Sequence, residues 1–157
     1  MIVESSPLAI TSKGTYILIL KLNHEKSIQV GKLGKFKFAP GFYAYIGSAF
    51  GPGGLAGRLN HHFKLTTKPF WHIDYLRKFT SIEQVWFSDQ HIRREHDWAK
   101  LMNQMDGGSI GMKGFGCTDC RCETHLFYCS EIPSIGQFQK LISNYFSNDA
   151  STKLLSV

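Results

Sequence analysis

The sequence predicts a fold of the α/β (α+β) class in one domain, on three observations. Residues 15–22 (TYILILKL) form an almost continuous β-branched, apolar and aromatic run, as expected of a central strand buried on both faces. Leu55, Leu59 and Phe63 recur at four-residue steps, the stripe of an amphipathic helix. The chain has 157 residues, 43% hydrophobic and 19% charged, which are globular values that suit a single core over 1–157.

The other elements follow in order. Residues 27–30 and 35–38 read as a hairpin around Gly31-Lys32-Leu33-Gly34. Phe36 and Phe38 alternate with Lys35 and Lys37, so one face is apolar and the other basic. Pro40-Gly41 turns the chain into a strand over 42–47 (FYAYIG), and 50–54 (FGPGG) is a loop. A helix is predicted over 55–64, with Arg58 and His62 one turn apart in the row beside its stripe. Gly57 inside it costs about 1 kcal/mol against Ala, which points to close backbone packing. After the break at 66–69, the aromatic segment 70–79 (FWHIDYLRKF) reads as a short helix, 84–87 as a strand and 92–105 as a helix ended by Gly107-Gly108. A Gly/Cys-rich loop leads to a last strand over 124–129. Ser134 is placed to cap a helix over 135–146, and the polar tail after 147 is expected to fray.

Net charge is +6, unevenly spread. Residues 1–78 carry eleven Lys/Arg against three acids, and 79–157 carry seven against nine. A basic half suits a polyanionic partner. No apolar run reaches the length of a membrane span, and the N-terminus lacks the basic and apolar regions of a signal peptide, so a cytoplasmic protein with no membrane partner is expected.

The candidate chemistry is phosphodiester hydrolysis. It needs a group that activates or holds water, positive charge for the transition state, and stabilisation of the leaving oxygen. Tyr16 and Tyr45 could position or deprotonate water, and Arg58 offers a bidentate fork to phosphate. Glu95 falls in the row Ile92, Glu95, Ala99, Met102 of the predicted helix, an apolar stripe where a carboxylate is costly unless paired or metal-bound. A stripe-edge glutamate that reaches solvent would give the same pattern. Singly, the tyrosines could be core residues, and Arg58 and His62 part of a solvated basic face with His61 and Lys64.

Taken together, Gly14-Thr15-Tyr16, then Tyr45-Ile46-Gly47, then Arg58, His62 and Glu95, resemble the GIY-YIG endonuclease superfamily. The stretches GKLGKFKFAPGFYAYIGSAFGPGGL, KPFWHIDYLR and GFGCTDCRCETHLFY are more closely similar to its Uri-type subgroup, whose domains also occur fused to DNA-repair glycosylases in archaea. The resemblance spans about 14–128. It implies a small, mixed, mainly antiparallel central sheet flanked by helices, and divalent-metal-dependent DNA cleavage, in repair or processing, that leaves a 5′-phosphate and a 3′-hydroxyl. It implies that Tyr16 or Tyr45 activates or positions water, that Arg58 steadies the scissile phosphate, and that His62 assists in proton transfer or phosphate contact. Glu95 would be the lone ligand of Mg²⁺ or Mn²⁺. The chain departs from the family at Thr15, where isoleucine is usual, and at Ser48, where many relatives carry lysine. Asn103 is the candidate for an asparagine that follows the glutamate in other branches.

Other clusters are weighed beside this one. His72 and Asp74 could supply an extra ligand or proton relay, or a mutual hydrogen bond that fixes their segment. Cys117, Cys120, Cys122 and His125 have the spacing of a distorted zinc site. A metal-free loop that stiffens the site, with Asp119 and His125 behind it, is the favoured reading. Lys32, Lys35, Lys37, Lys64 and Lys68 beside aromatic residues would suit nucleic-acid binding, and a binding module without useful turnover is the alternative function. So small a nuclease would be weakly specific or would take its specificity from a protein partner.

Overall fold

The structure is a computed structural model that describes residues 2–3, 11–105, 110–116, 124–146 and 153–155. Its centre is the predicted strand, β2 (Gly14–Leu22), which lies between β5 (Gly41–Ala49) and β6 (Ser81–Ser88), antiparallel to both. β8 (Leu126–Cys129) pairs with the far side of β5, so four antiparallel strands run in the order β6-β2-β5-β8. Short strands complete the sheet. β7 (Ile110–Gly111) lies beyond β8, and β9 (Lys153–Leu155) and β1 (Ile2–Val3) lie beyond β6. The β1–β9 pair is parallel, which makes the sheet mixed. β3 (Lys26–Val30) and β4 (Gly34–Phe38) form the predicted hairpin, a separate two-stranded sheet closed by a 3₁₀ turn over Gly31–Leu33.

Alternation along β2 divides the core in two. Tyr16, Leu18, Leu20 and Leu22 pack with Tyr43 and Tyr45 of β5 under α1 (Gly54–Phe63), α2 (His72–Arg77) and the hairpin. Ile17 and Ile19 pack on the other face with Trp98 of α3 (Glu95–Met102) and Phe138 and Ile142 of α4 (Ile135–Tyr145). Both motif tyrosines therefore share a face with the helix that carries Arg58 and His62. The two motif glycines explain how the strands can approach. A Cβ at Gly14 would run into the Ser88 carbonyl of β6, and one at Gly47 into the Tyr16 ring that lies over it.

Ser134 caps α4 as expected, its Oγ accepting from Gln137 N at 3.2 Å. Four expectations are corrected. The helix predicted over 92–105 begins only at Glu95, and Ile92 lies outside it, 48% exposed. The row that placed Glu95 on an apolar stripe is therefore broken; the residue opens the first turn, where a carboxylate suits the helix dipole. Gly57 is exposed, and a Cβ there would meet only the Pro52 carbonyl at 3.6 Å, so close packing does not account for it. The strand predicted over 84–87 starts three residues earlier, because β2 continues to pair past a register shift at Ile19/Leu20. In the tail, β9 pairs with β6 and covers an edge of the sheet. Residues 147–152 and 156–157 lie outside the described residues. No helix among the described residues is long and apolar enough to cross a membrane.

Candidate active site

A pocket of about 440 Å³ opens at the end of β2 and β5. Tyr16, Tyr45, Arg58 and Glu95 all line it, although they come from β2, β5, α1 and α3. In the strand register Tyr16 stands opposite Gly47 and Leu18 opposite Tyr45, so the tyrosines are diagonal neighbours on one face. His62 lies behind them rather than on the pocket wall. It is 1% exposed, its Nε2 is 2.7 Å from the Tyr16 hydroxyl, and its ring is edge-on to Tyr45 at 6.0 Å. A solvated basic face therefore does not describe His62. Burial, reinforced by the charges of His61 and Arg58, pushes its pKa down to about 3, which leaves it neutral. Burial also raises the Tyr16 pKa well above its ordinary value. Tyr45 and Glu95 add to that rise, and Arg58 opposes it. The Arg58 guanidinium lies 4.3 Å over the Trp71 ring, which steadies the cation without neutralising it.

Glu95 reaches the pocket from the other face of the sheet. The backbone N–H of Arg94, at the N-cap of α3, donates to Thr15 Oγ1 at 3.3 Å. The threonine of the first half-motif thus ties down the turn that presents Glu95, a bond that isoleucine could not make. The Glu95 side chain is 23% exposed, and its oxygens stand 3.9 Å from His125 Nδ1 and from His96 Nε2, beyond hydrogen-bond reach. His125 lines the pocket. Its Nδ1 is 3.2 Å from the Ile46 carbonyl, which can only accept, so that nitrogen carries the proton. Burial lowers the His125 pKa, against the pull of Glu95.

His72 and Asp74 are not joined to each other by the hydrogen bond expected of them. They sit on the helix α2, where i, i+2 residues point apart. His72 Nδ1 accepts from Gly116 N at 2.9 Å and so positions the loop that lines the pocket. The Asp74 carboxylate accepts from Phe70 N and Trp71 N at 2.8 and 2.9 Å and lies 2.8 Å from His61 Nε2. It fixes Trp71 against α1, and Arg77 completes the junction by donating to the His62 carbonyl at 2.7 Å.

Ser48 is on the pocket wall, whereas Asn103 is exposed at the C-cap of α3, about 12 Å along the helix from Glu95. Lys32, Lys35, Lys37, Lys64 and Lys68 are exposed and none lines the pocket; Lys37 is 3.6 Å from Glu25. Cys117, Asp119, Cys120 and Cys122 lie outside the described residues. Among the described residues no group of three His, Cys, Asp or Glu could hold a metal.

The lining also includes Phe50, Trp71, Arg93 and His96, which sequence reasoning passed over. Arg93 and His96 flank Glu95 in the chain, and that clustering was the available signal. Phe50 had none, because its place depends on Lys13, whose Nζ donates to the Phe50 and Gly51 carbonyls at 3.0 and 3.3 Å.

With the geometry in hand, the comparisons with known proteins decide one point. Residues 15–147 match the family described as "Domain of unknown function DUF123". The chain belongs to the DUF123 family. The match takes in every pocket residue named above, from Tyr16 to His125, so the pocket is built wholly within the family's domain. No curated protein and no solved structure matches the chain.

Proposed function

We propose that this DUF123 chain is a divalent-metal-dependent endonuclease of the GIY-YIG superfamily, Uri type, that hydrolyses DNA phosphodiester bonds in repair or processing. The observation that carries the reading is the convergence of Tyr16, Tyr45, Arg58 and Glu95 on one pocket, with His62 bonded to Tyr16 behind it. The same motif residues suggested the chemistry from sequence, and their meeting is what the chemistry requires.

In this reading Arg58 grips the scissile phosphate with its fork, held in place by Trp71. Glu95 would hold Mg²⁺ or Mn²⁺. A single carboxylate on an open pocket wall fits such a hard ion, which keeps several waters and shares substrate oxygens. The ion, when bound, would stabilise charge on the leaving oxygen. Tyr16 is kept a neutral phenol by burial, so it serves as a relay for the proton and not as a standing phenolate. The attacking water gives its proton to the Tyr16 oxygen as the Tyr16 proton passes to His62 Nε2. The hydroxide forms the new P–O bond as the bond to the 3′-oxygen breaks with its electron pair; the departing 3′-oxygen takes a proton from solvent water, leaving a 5′-phosphate and a 3′-hydroxyl. Phosphate bound at Arg58 offsets the cationic repulsion that helps to depress the His62 pKa, which makes His62 a better acceptor once substrate is present. Tyr45, against His62, orients the phosphate beside it.

The test is incubation with end-labelled single-stranded, duplex and branched DNA in Mg²⁺, in Mn²⁺ and in chelator. Metal-dependent fragments with 5′-phosphate ends are expected. Salt-sensitive binding with no cutting of any substrate would overturn the nuclease reading in favour of a binding module.

A further inference from the structure

The pocket carries more aromatic surface than phosphate chemistry needs. Two arginine–aromatic pairs stand on its walls, Arg58 over Trp71 at 4.3 Å and Arg93 over Phe50 at 4.7 Å. Phe70 is 79% exposed and edge-on to Trp71 at 5.2 Å, so the apolar surface continues out of the pocket. A lone exposed phenylalanine needs no explanation. This one is held in place. The Asp74 carboxylate, whose side chain is 2% exposed, accepts from the backbone N–H groups of both Phe70 and Trp71 and is itself fixed by His61. A buried carboxylate that secures the exposed Phe70 and the half-buried Trp71 beside a phosphate-binding arginine makes a preorganised platform.

We infer that this platform binds unpaired bases, and that the substrate is single-stranded DNA or a single-stranded segment of a larger DNA. The inference rests on the nuclease reading for the DNA backbone at Arg58, and it goes beyond that reading in naming the form of the DNA. In a duplex the faces of the bases are covered by their neighbours, so an aromatic ring within reach of the phosphate finds no base face to cover. In a single strand each base offers a free face beside its phosphate, and aromatic stacking then adds affinity with little dependence on sequence. The arginines take the phosphates, or stack in their turn on bases.

The structure supplies its own probe. Trp86 and Trp98 are fully buried, so a change in tryptophan emission on binding reports Trp71. A short single-stranded oligodeoxynucleotide, and the duplex and RNA strand of the same sequence, are titrated into the whole protein in chelator, where cleavage is off. The single strand is expected to quench the emission and to bind at least ten-fold more tightly than the duplex. Phe70→Ala is expected to weaken single-strand binding about ten-fold, the size of one base–aromatic stack, and to leave duplex binding unchanged. Phe70 is too exposed for its loss to threaten folding. Trp71→Phe should remove the quench. Equal affinity for the DNA single strand and the duplex, tighter binding of the RNA strand than of the DNA strand, or an equal loss on both DNA forms in Phe70→Ala, would overturn the inference. Cleavage in Mg²⁺ is scored separately. Metal-dependent cutting of duplex without single-strand preference sinks the platform and spares the nuclease. Single-strand quenching with no cutting of any DNA does the reverse.

Discussion

In the proposed mechanism Tyr16 and His62 are the pair on which proton transfer turns. Removing the Tyr16 hydroxyl strands a buried imidazole nitrogen and interrupts the proton's route. Tyr16→Phe should therefore lower the single-turnover cleavage rate by about 10²–10⁴-fold and cost about 1–3 kcal/mol in urea unfolding. His62 also sets a pH dependence. Its folded pKa of about 3 lies below the ordinary 6.5, so between those values the unfolded chain takes up a proton that the folded chain refuses. Stability falls as pH drops from about 6.5 toward 3, and above 6.5 His62 adds no slope. Unfolding measured across that window should lose on the order of a few kcal/mol of its pH dependence in His62→Gln, with a smaller slope in the same direction left by the half-buried His72 and the buried His125. At this scale the meeting of Tyr16, Tyr45, Arg58 and Glu95 at one pocket was legible, because the proposed chemistry restricts which side chains could serve it. The Asp74–His61 contact was not, since it joins two helices across a turn of aromatic chain and no periodicity marks it. The expectation of a His72–Asp74 bond failed for a different reason: the two face apart on the helix α2.

The elements differ in how far pattern alone described them. β2 and the stripe of α1 were clear because burial on two faces, or along one stripe, dictates composition. The start of α3 was not clear. Ile92 continues an apolar period, yet the chain stays irregular through Arg94, whose N–H bonds to Thr15. Thr15→Val removes that anchor while keeping the β-branched shape, so it should cost about 1 kcal/mol of stability. It should lower cleavage more than it lowers DNA binding, measured side by side, because it loosens the turn that presents Glu95. Gly57 tests the opposite case. It sits in α1 with room for a methyl group and no positive φ, so Gly57→Ala should stabilise the protein by about 0.5–1 kcal/mol, a rise of a few degrees in Tm by calorimetry. A loss of stability there would show that the helix has a packing constraint at Gly57 after all.

Across the whole molecule, the sheet brings together what the sequence separates. The tyrosines and Arg58 arrive from one face, and Glu95 from a helix packed on the other, at the end of β2 and β5. The charge split between the two halves was visible in the sequence and pointed to a polyanion. It did not place the cations, because the pocket draws Arg58 from the basic half and Arg93 from the acidic one. The exposed lysines of the hairpin remain a surface feature outside the pocket. The central claim is that this pocket is a metal-dependent hydrolytic centre organised around Glu95. It is tested most directly by comparing wild type and Glu95→Ala for DNA cleavage in Mg²⁺ and Mn²⁺, with DNA binding in chelator measured on the same preparations. The account predicts cleavage by wild type only with metal, and none by Glu95→Ala at matched binding. Undiminished cutting by Glu95→Ala, or cutting by wild type in chelator, would contradict it.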